Sequence, residues 1–182
     1  RGYLEFLTDV EGTDTPVSRH MRERMERYTG VHLTAFTVND ALAESERLEA
    51  AGIDLQPTVN LRREAEAADG STVEVAYTVV RARFGLFPEG RIQTLSHHSA
   101  EHLWQRRYIA RENAILGLTE IVYALADPAA GAERLATFTG RQAAEVDSGM
   151  GISLDRGRLT FITPDDVPRL FTKRVSVHVP VA

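Results

Sequence analysis

The sequence contains no cysteine, a single tryptophan and no uninterrupted apolar run of 18 residues. Without cysteine there is no disulfide and no thiolate chemistry. The absence does not determine the cellular compartment, although a cytoplasmic protein is the simpler expectation. Without a long apolar run there is no transmembrane helix, so no membrane partner is expected. Acidic residues outnumber basic ones by 26 to 21. This balance argues against nucleic-acid binding, which needs concentrated positive charge.

One short strand-like motif occurs three times, beginning at positions 2, 90 and 157, as GYLEFL, GRIQTL and GRLTFI. Each copy begins with glycine and has aliphatic residues at its third and sixth positions. The fourth position is polar and differs between the copies, being Glu5, Gln93 and Thr160. An alternating pattern of this kind predicts a strand whose polar residue lies on one face.

A second repeated pattern precedes the last two copies of this motif. VHLTAFTVND and LTEIVYALAD each predict a strand that ends at an aspartate, and a helical pattern that ends in glycine follows each of them. Asp40 and Asp127 are therefore predicted to cap these helices. Glu46 and Glu133 follow the two aspartates at the same spacing. A repeat of this length is too long for a solenoid and indicates duplicated βαβββ modules.

We therefore predict an α+β fold built from repeated βαβββ modules. Residues 1–15 are interpreted as the last strand of a module whose beginning is absent, 16–30 as a linker helix and 171–182 as a strand-like tail. Residues 31–117 form a complete module with a following helix over 100–114, and 118–170 form a degenerate one. Within them, 62–70 are expected to be a loop or short helix, 71–84 a strand and 151–164 a hairpin.

These patterns, taken in order, resemble the vicinal oxygen chelate superfamily, which includes glyoxalases, bleomycin resistance proteins and extradiol dioxygenases. The segment SHHSAEHLWQRRYIARENAILGL resembles the stretch after the final strand in the branch called the glyoxalase-like domain. It keeps a histidine pair and a tryptophan. It departs from the branch pattern at Ala100, which replaces a proline, and at Arg111 and Glu112, which replace His-Pro.

The resemblance implies that module sheets curl into a half-barrel around a cavity, with a divalent metal held by the first and last strands. Carried over by position, the implied ligands are an absent upstream residue, Glu5, His32 and Gln93. His97, in the histidine pair that directly follows the last strand, is a further candidate ligand. A mixed set of nitrogen and oxygen ligands suits Zn, Fe, Mn, Ni or Co. Two of these residues also have simpler interpretations. Glu5 fits a solvent-facing side of a strand, and His32 fits a hydrogen-bonded core histidine.

The remaining expectations concern catalysis and substrate binding. Glu5 or His98 is the candidate general base, since imidazole titrates near neutral pH. Trp104 and Arg106 are candidate substrate contacts, although packing and surface roles fit them equally. The resemblance implies a metal-dependent isomerase, lyase or dioxygenase that acts on a small oxygen-rich substrate, with a homodimer as a possible assembly. The alternative is a non-catalytic module of the same fold that binds a small molecule, and the sequence leaves that choice open.

Overall fold

The structure is a computed structural model that describes residues 4–6, 12–28, 30–108 and 117–171. The chain folds into two compact units. Most of the first unit lies in Leu33–Leu86 and Arg91–Gly117. The second contains Gly2–His32, Phe87–Gly90 and Leu118–Ala182. None of the helices in the described part of the chain has the length and apolar character that a bilayer crossing requires.

The first unit contains one four-stranded mixed sheet with the strand order β1-β4-β3-β2. Strands β1 and β4 pair in parallel, whereas β3 pairs antiparallel with both of its neighbours. Its elements, in chain order, are β1 (Leu33–Thr37), α2 (Ala41–Ala50), β2 (Val59–Glu66), β3 (Thr72–Arg81), β4 (Arg91–His97), α3 (Ala100–Leu103) and a 3₁₀ turn (Arg106–Tyr108).

The second unit repeats this architecture with the strand order β5-β8-β7-β6. Again the outer pair β5–β8 is parallel and the other two pairs are antiparallel. Its elements are α1 (Pro16–Arg27), β5 (Glu120–Ala124), α4 (Pro128–Thr139), β6 (Ala143–Val146), β7 (Gly149–Ser153), β8 (Arg158–Ile162), a 3₁₀ turn (Pro164–Asp166) and α5 (Val167–Leu170). The predicted α+β fold of βαβββ modules is confirmed, and neither sheet is closed.

The two predicted helix caps are present. Asp40 accepts hydrogen bonds from the backbone N–H groups of Leu42 and Ala43, and Asp127 accepts one from Ala130. These carboxylates satisfy N–H groups that have no partner within the helix. The shared Asp therefore begins the equivalent helix in each module.

A close backbone approach explains the glycine that precedes the last strand of each module. Gly90 and Gly157 both have positive φ angles, of 139° and 96°. A Cβ on Gly90 would lie 2.9 Å from the carbonyl oxygen of His32, and one on Gly157 would lie 2.6 Å from that of Thr119. His32 and Thr119 each directly precede the first strand of their module, so the same contact occurs twice.

The structure corrects the prediction for residues 62–70. Residues up to Glu66 belong to β2, which pairs with β3 over eight positions. The chain then turns through Asp69 and Gly70, and Gly70 has a φ of 85°. An Asp-Gly pair between two strands is a hairpin signal. The hairpin was not recognised from the sequence because much of β2 is exposed, and its charged residues resemble those of a loop.

Three other segments also differ from the sequence prediction. The helix predicted over 100–114 is present only as α3 and the short turn that follows, and residues 109–116 lie outside the described part of the chain. Helix α1 begins after its N-cap Thr15, with Ser18 completing the capping box, and ends at Arg27, before the predicted end at residue 30. Leu4–Phe6 belong to no helix or strand and are exposed. Residues 1–3, 7–11 and 172–182, which complete the predicted first strand and tail, are outside the described residues.

A buried ion pair connects the Phe87–Gly90 segment to α4 within the second unit. The Glu89 side chain is fully buried, and its Oε1 accepts a 2.5 Å hydrogen bond from Arg134 Nη2. Arg24, which is also buried, donates to the carbonyl oxygens of Phe87 and Pro88. A buried carboxylate is costly unless it is paired, so this contact fixes the segment in place.

The first prediction concerns the glycine before β8. Substitution of Gly157→Ala should destabilise the protein more than Gly70→Ala, although both glycines have positive φ. The reason is that a Cβ at Gly70 meets nothing within 4 Å, whereas one at Gly157 meets the Thr119 carbonyl. Urea unfolding of the two variants measures the difference, which should be on the order of 1–3 kcal/mol. Equal losses would show that only the φ angle matters.

The second prediction concerns the buried ion pair. Arg134→Met should lower the free energy of unfolding by on the order of 3 kcal/mol, because it leaves the Glu89 carboxylate buried and unpaired. Arg141→Met is the matched control, since its partner Asp155 is 82% exposed. Loss of an exposed pair should change the stability little. Similar unfolding midpoints for both variants in urea would contradict a stabilising role for the buried pair.

Candidate functional site

The polar residue of the second motif copy, Gln93, lies on a face of the first sheet that we call the Gln93 face. In register it is flanked by Ala35 on β1 and Arg81 on β3. Register partners point to the same side of a sheet, and residues two apart on a strand do so as well. The Gln93 face therefore consists of Leu33, Ala35, Thr37, Val59, Leu61, Arg63, Ala65, Val73, Val75, Tyr77, Val79, Arg81, Arg91, Gln93, Leu95 and His97.

Arg81 and Gln93 form the polar centre of this face. Both side chains are half-buried, and neither has a hydrogen-bond partner among the residues that the structure describes. The Nε atom of Arg81 is itself buried. Directly paired residues on neighbouring strands have Cβ atoms about 5 Å apart. Ala35, on the other side of Gln93, is exposed, so the sheet is open to solvent there.

An aromatic group occupies the other end of β4 on the same face. The His97 ring lies 6.0 Å from the ring of Tyr77 and 6.0 Å from that of Trp104, measured between centroids. Its Nδ1 atom is buried and has no hydrogen-bond partner among the described residues. Burial, and secondarily the charge of His98, lowers the pKa of His97. The lowered pKa favours the neutral form of the imidazole.

His98, the predicted base, lies on the opposite face of the sheet. Its Nε2 atom is 2.8 Å from Thr78 Oγ1, and Thr78 is paired in register with Ser96, which alternates with His97. The Thr78 hydroxyl donates to Asn60 Oδ1 over 2.7 Å. Because the Thr78 hydroxyl proton lies in the bond to Asn60, His98 Nε2 is the donor in the contact between His98 and Thr78. His98 does not share a face with Gln93, and its role as a base stays a prediction.

His32 belongs to the second unit, where it packs against Tyr28 at the end of α1. Its ring centroid lies 4.4 Å from that of Tyr28, and its Nδ1 atom is buried without a hydrogen-bond partner in the described part of the chain. Burial, and secondarily the charge of Arg24, lowers the pKa of His32. The aromatic contact fits a packed histidine, but among the described residues Nδ1 lacks a hydrogen bond of the kind that the simpler interpretation of His32 expected.

Glu5 and Arg106 are both exposed. Glu5 is flanked by Leu4 and Phe6, whose exposed fractions are 64% and 93%. Trp104 is half-buried against His97, whereas Arg106 begins the short 3₁₀ turn that follows it. As substrate contacts, Trp104 and Arg106 stay predictions.

The described residues do not assemble a metal centre. A zinc-like ion needs its ligand atoms within about 2.0–2.2 Å. Gln93 and His97 share a face, but four residues of strand separate their Cα atoms by about 13 Å, which leaves no ordinary geometry in which both bind one ion. Arg81 also places a permanent positive charge beside Gln93. Among the described residues, no group of three or more His, Cys, Asp or Glu side chains is placed to hold a metal.

The corresponding face of the second sheet is already satisfied by its own side chains. Thr160, which occupies the position of Gln93, donates a 2.5 Å hydrogen bond to Glu120 Oε1, and Arg158 donates to the same carboxylate over 2.8 Å. The hydrogen bond from Arg158, followed by that from Thr160, lowers the pKa of Glu120. An open depression of about 390 Å³ lies beside these groups. Glu120 and Arg158, the charged groups that line it, already pair with each other.

Arg81 and Glu89 were not among the candidates selected from the sequence. A signal for Arg81 was present, because the alternation in STVEVAYTVVRARF places it on the same face as Val75 and Val79. A charge that continues an apolar face is costly unless it is partnered. Glu89 gave no such signal, since it lies in an irregular segment between two strands.

The third prediction concerns His32 and His97, two half-buried histidines whose Nδ1 atoms are buried. NMR titration should give His32 and His97 midpoints below the ordinary value of 6.5. With the folded pKa lowered, the unfolded chain binds more protons, so stability is full above about pH 6.5 and declines as the pH falls through that value. Urea unfolding at about pH 7.5 and about pH 5.5 should show this loss, and His97→Gln should reduce it. A midpoint at or above 6.5 would contradict the burial of these rings.

The comparisons with known proteins agree with this architecture. The family model of the glyoxalase-like domain matches residues 1–139. A solved structure titled "Crystal Structure of a hypothetical protein from Staphylococcus aureus" aligns with a TM-score of 0.59 and 9% identity, covering 79% of this chain and 57% of that chain. This likeness shows the fold alone. No curated protein matches. Since the family match spans 139 of its 182 residues, this chain belongs to the glyoxalase-like domain family, within the vicinal oxygen chelate superfamily.

Proposed function

We propose that this protein binds a small oxygen-rich molecule on the Gln93 face of its first sheet. The observation that carries the proposal is the free amide of Gln93, which lies beside the exposed Ala35 and has no partner among the described residues. An amide offers both hydrogen-bond donors and an acceptor, so it suits hydroxyl and carbonyl groups. A few convergent polar groups on an otherwise apolar surface are typical of small-molecule sites.

Binding without a metal held by this site is the version that the geometry favours. Arg81 supplies positive charge at the position where a metal would supply it, and a cation beside a guanidinium would be repelled. The metal-dependent isomerase, lyase or dioxygenase implied by family membership stays a prediction. Its residues Glu5, His32, Gln93 and His97 would have to supply the ligands of a divalent ion.

The fourth prediction tests this proposal with a panel of small hydroxy acids, keto acids and diols, monitored by ¹H–¹⁵N NMR in the presence of a chelator. Backbone signals of β1, β3 and β4 should shift when a ligand is added. Gln93→Ala should weaken binding by roughly tenfold, the loss of about one buried hydrogen bond. Gln142→Ala is the matched control, since Gln142 is exposed in the second unit and should leave binding unchanged.

Two outcomes would contradict the proposal. Shifts that follow only residues outside the first sheet would place the ligand elsewhere. Binding that requires added zinc, iron or manganese, and that is lost with His32→Ala but kept with His20→Ala, would instead support the metal-dependent enzyme. Elemental analysis of protein purified without chelator or affinity metal provides an independent measurement of the same distinction.

A further inference from the structure

We infer that the ligand of the Gln93 face is an oxyanion, bound by the guanidinium of Arg81 together with the amide of Gln93. This inference rests on the proposed function and names the chemical class of its ligand. The class is a small carboxylate or another planar or tetrahedral oxyanion carried on a small molecule.

The first support is the unsatisfied state of Arg81. A guanidinium keeps its positive charge at any physiological pH and carries five N–H donors in a rigid fork. The Nε atom of Arg81 is buried, yet neither a hydrogen bond nor an ion pair within the described residues satisfies it. Buried donors nearly always have partners, and an unsatisfied one costs about 1–3 kcal/mol. A bound oxyanion would supply the missing acceptor, with two parallel hydrogen bonds.

The second support is the distribution of charge over the sheet. Across the four strands of the first unit, the Gln93 face contains arginines and no aspartate or glutamate. The acidic residues of these strands, Glu64, Glu66 and Glu74, all lie on the opposite face. A surface that carries one sign of charge attracts ligands of the other sign. The Gln93 face is therefore electrostatically suited to an anion.

The third support is a comparison with the second sheet, which follows the same topology. There the register partner of Thr160 is Gly151, so a glycine occupies the position that corresponds to Arg81. The cation on that face, Arg158, is bound by Glu120 of the same sheet. At the position that corresponds to Glu120, the first sheet has Leu33. The second sheet thus pairs Arg158 with its own Glu120, whereas the first sheet has no carboxylate at the corresponding position.

The access route follows from exposure. Val79 and Leu95, which lie next to Arg81 and Gln93 on the same face, are buried, with exposed fractions of 1% and 8%. Ala35 and Thr37 on β1 are exposed. An oxyanion would therefore reach Arg81 across Gln93 from the β1 side. The body of the ligand would lie over Ala35, where only a small side chain limits its size.

The experiment is an NMR titration that detects the Nε–H group of Arg81 directly. The probes are sodium benzoate, sodium acetate and inorganic phosphate, with benzamide as the neutral control and all samples at one ionic strength. The Arg81 Nε–H signal should shift with at least one carboxylate or phosphate and should not shift with benzamide. Carboxylates and phosphate are both oxyanions but differ in shape. The probe that causes the larger shift of the Arg81 Nε–H signal identifies the class of ligand.

Three variants sharpen the test. Arg81→Met should weaken anion binding by at least tenfold, and Arg81→Lys, which keeps the charge but loses the fork, should restore part of it. Gln93→Glu should abolish binding without unfolding the protein, because the new carboxylate would itself pair with Arg81. Arg62→Met is the matched control, since Arg62 is exposed on the opposite face, where it pairs with Glu74, and should leave binding unchanged.

The possible outcomes separate this inference from the proposed function. If benzamide or neutral diols shift the β4 signals as strongly as the anions do, the site binds small molecules but the oxyanion inference is overturned. If β1, β3 and β4 respond to none of the anionic or neutral molecules, both fail. If Gln93→Glu binds the anions as well as the unmodified protein does, Arg81 is not their partner.

Discussion

The close passage of two backbone segments at the start of each module is the constraint on which the architecture depends. In each module the last strand lies beside the first and runs parallel to it, so the residue before one strand meets the residue before the other. No Cβ fits between them, and the approaching residue has a positive φ. Both requirements select glycine, at Gly90 and at Gly157. The parallel pair then positions the following polar residue, Gln93 or Thr160, at the same place on the sheet.

This constraint explains which part of the fold was predictable from the sequence. Glycines that begin the last strands and aspartates that cap the helices are local requirements, so they recur in both copies and reveal the repeat. Strand β2 was missed because most of its residues are exposed and its second half is charged. It is recognised only from its pairing with β3. Gln105 and Arg107 donate to the Glu66 carbonyl in the hairpin. Such contacts between distant segments accompany the early end of α3, and the local sequence does not encode them.

The candidate site was only partly accessible to the same reasoning, because function depends on which face a side chain occupies. The sequence places Gln93 in a strand, but only the register shows that Arg81 is its neighbour. It also places His97 and His98 side by side, whereas the sheet directs them to opposite faces. Period-two alternation gives relative faces within one strand, and pairing between strands must supply the rest. A ligand set drawn from several strands therefore needs the register before it can be assembled.

The two copies of the module differ in how their sheets carry and pair charge. Arg91 and Arg158 occupy corresponding positions, but only Arg158 faces a carboxylate in its neighbouring parallel strand. The guanidinium of Arg91 instead lies over the ring of Phe84, at 5.3 Å from its centroid. With Leu33 in place of Glu120 and Arg81 in place of Gly151, the first sheet gains positive charge and loses its internal anion. The physical difference between the copies is thus that Arg158 has a carboxylate partner in its own sheet, whereas the buried Nε of Arg81 has no partner among the described residues.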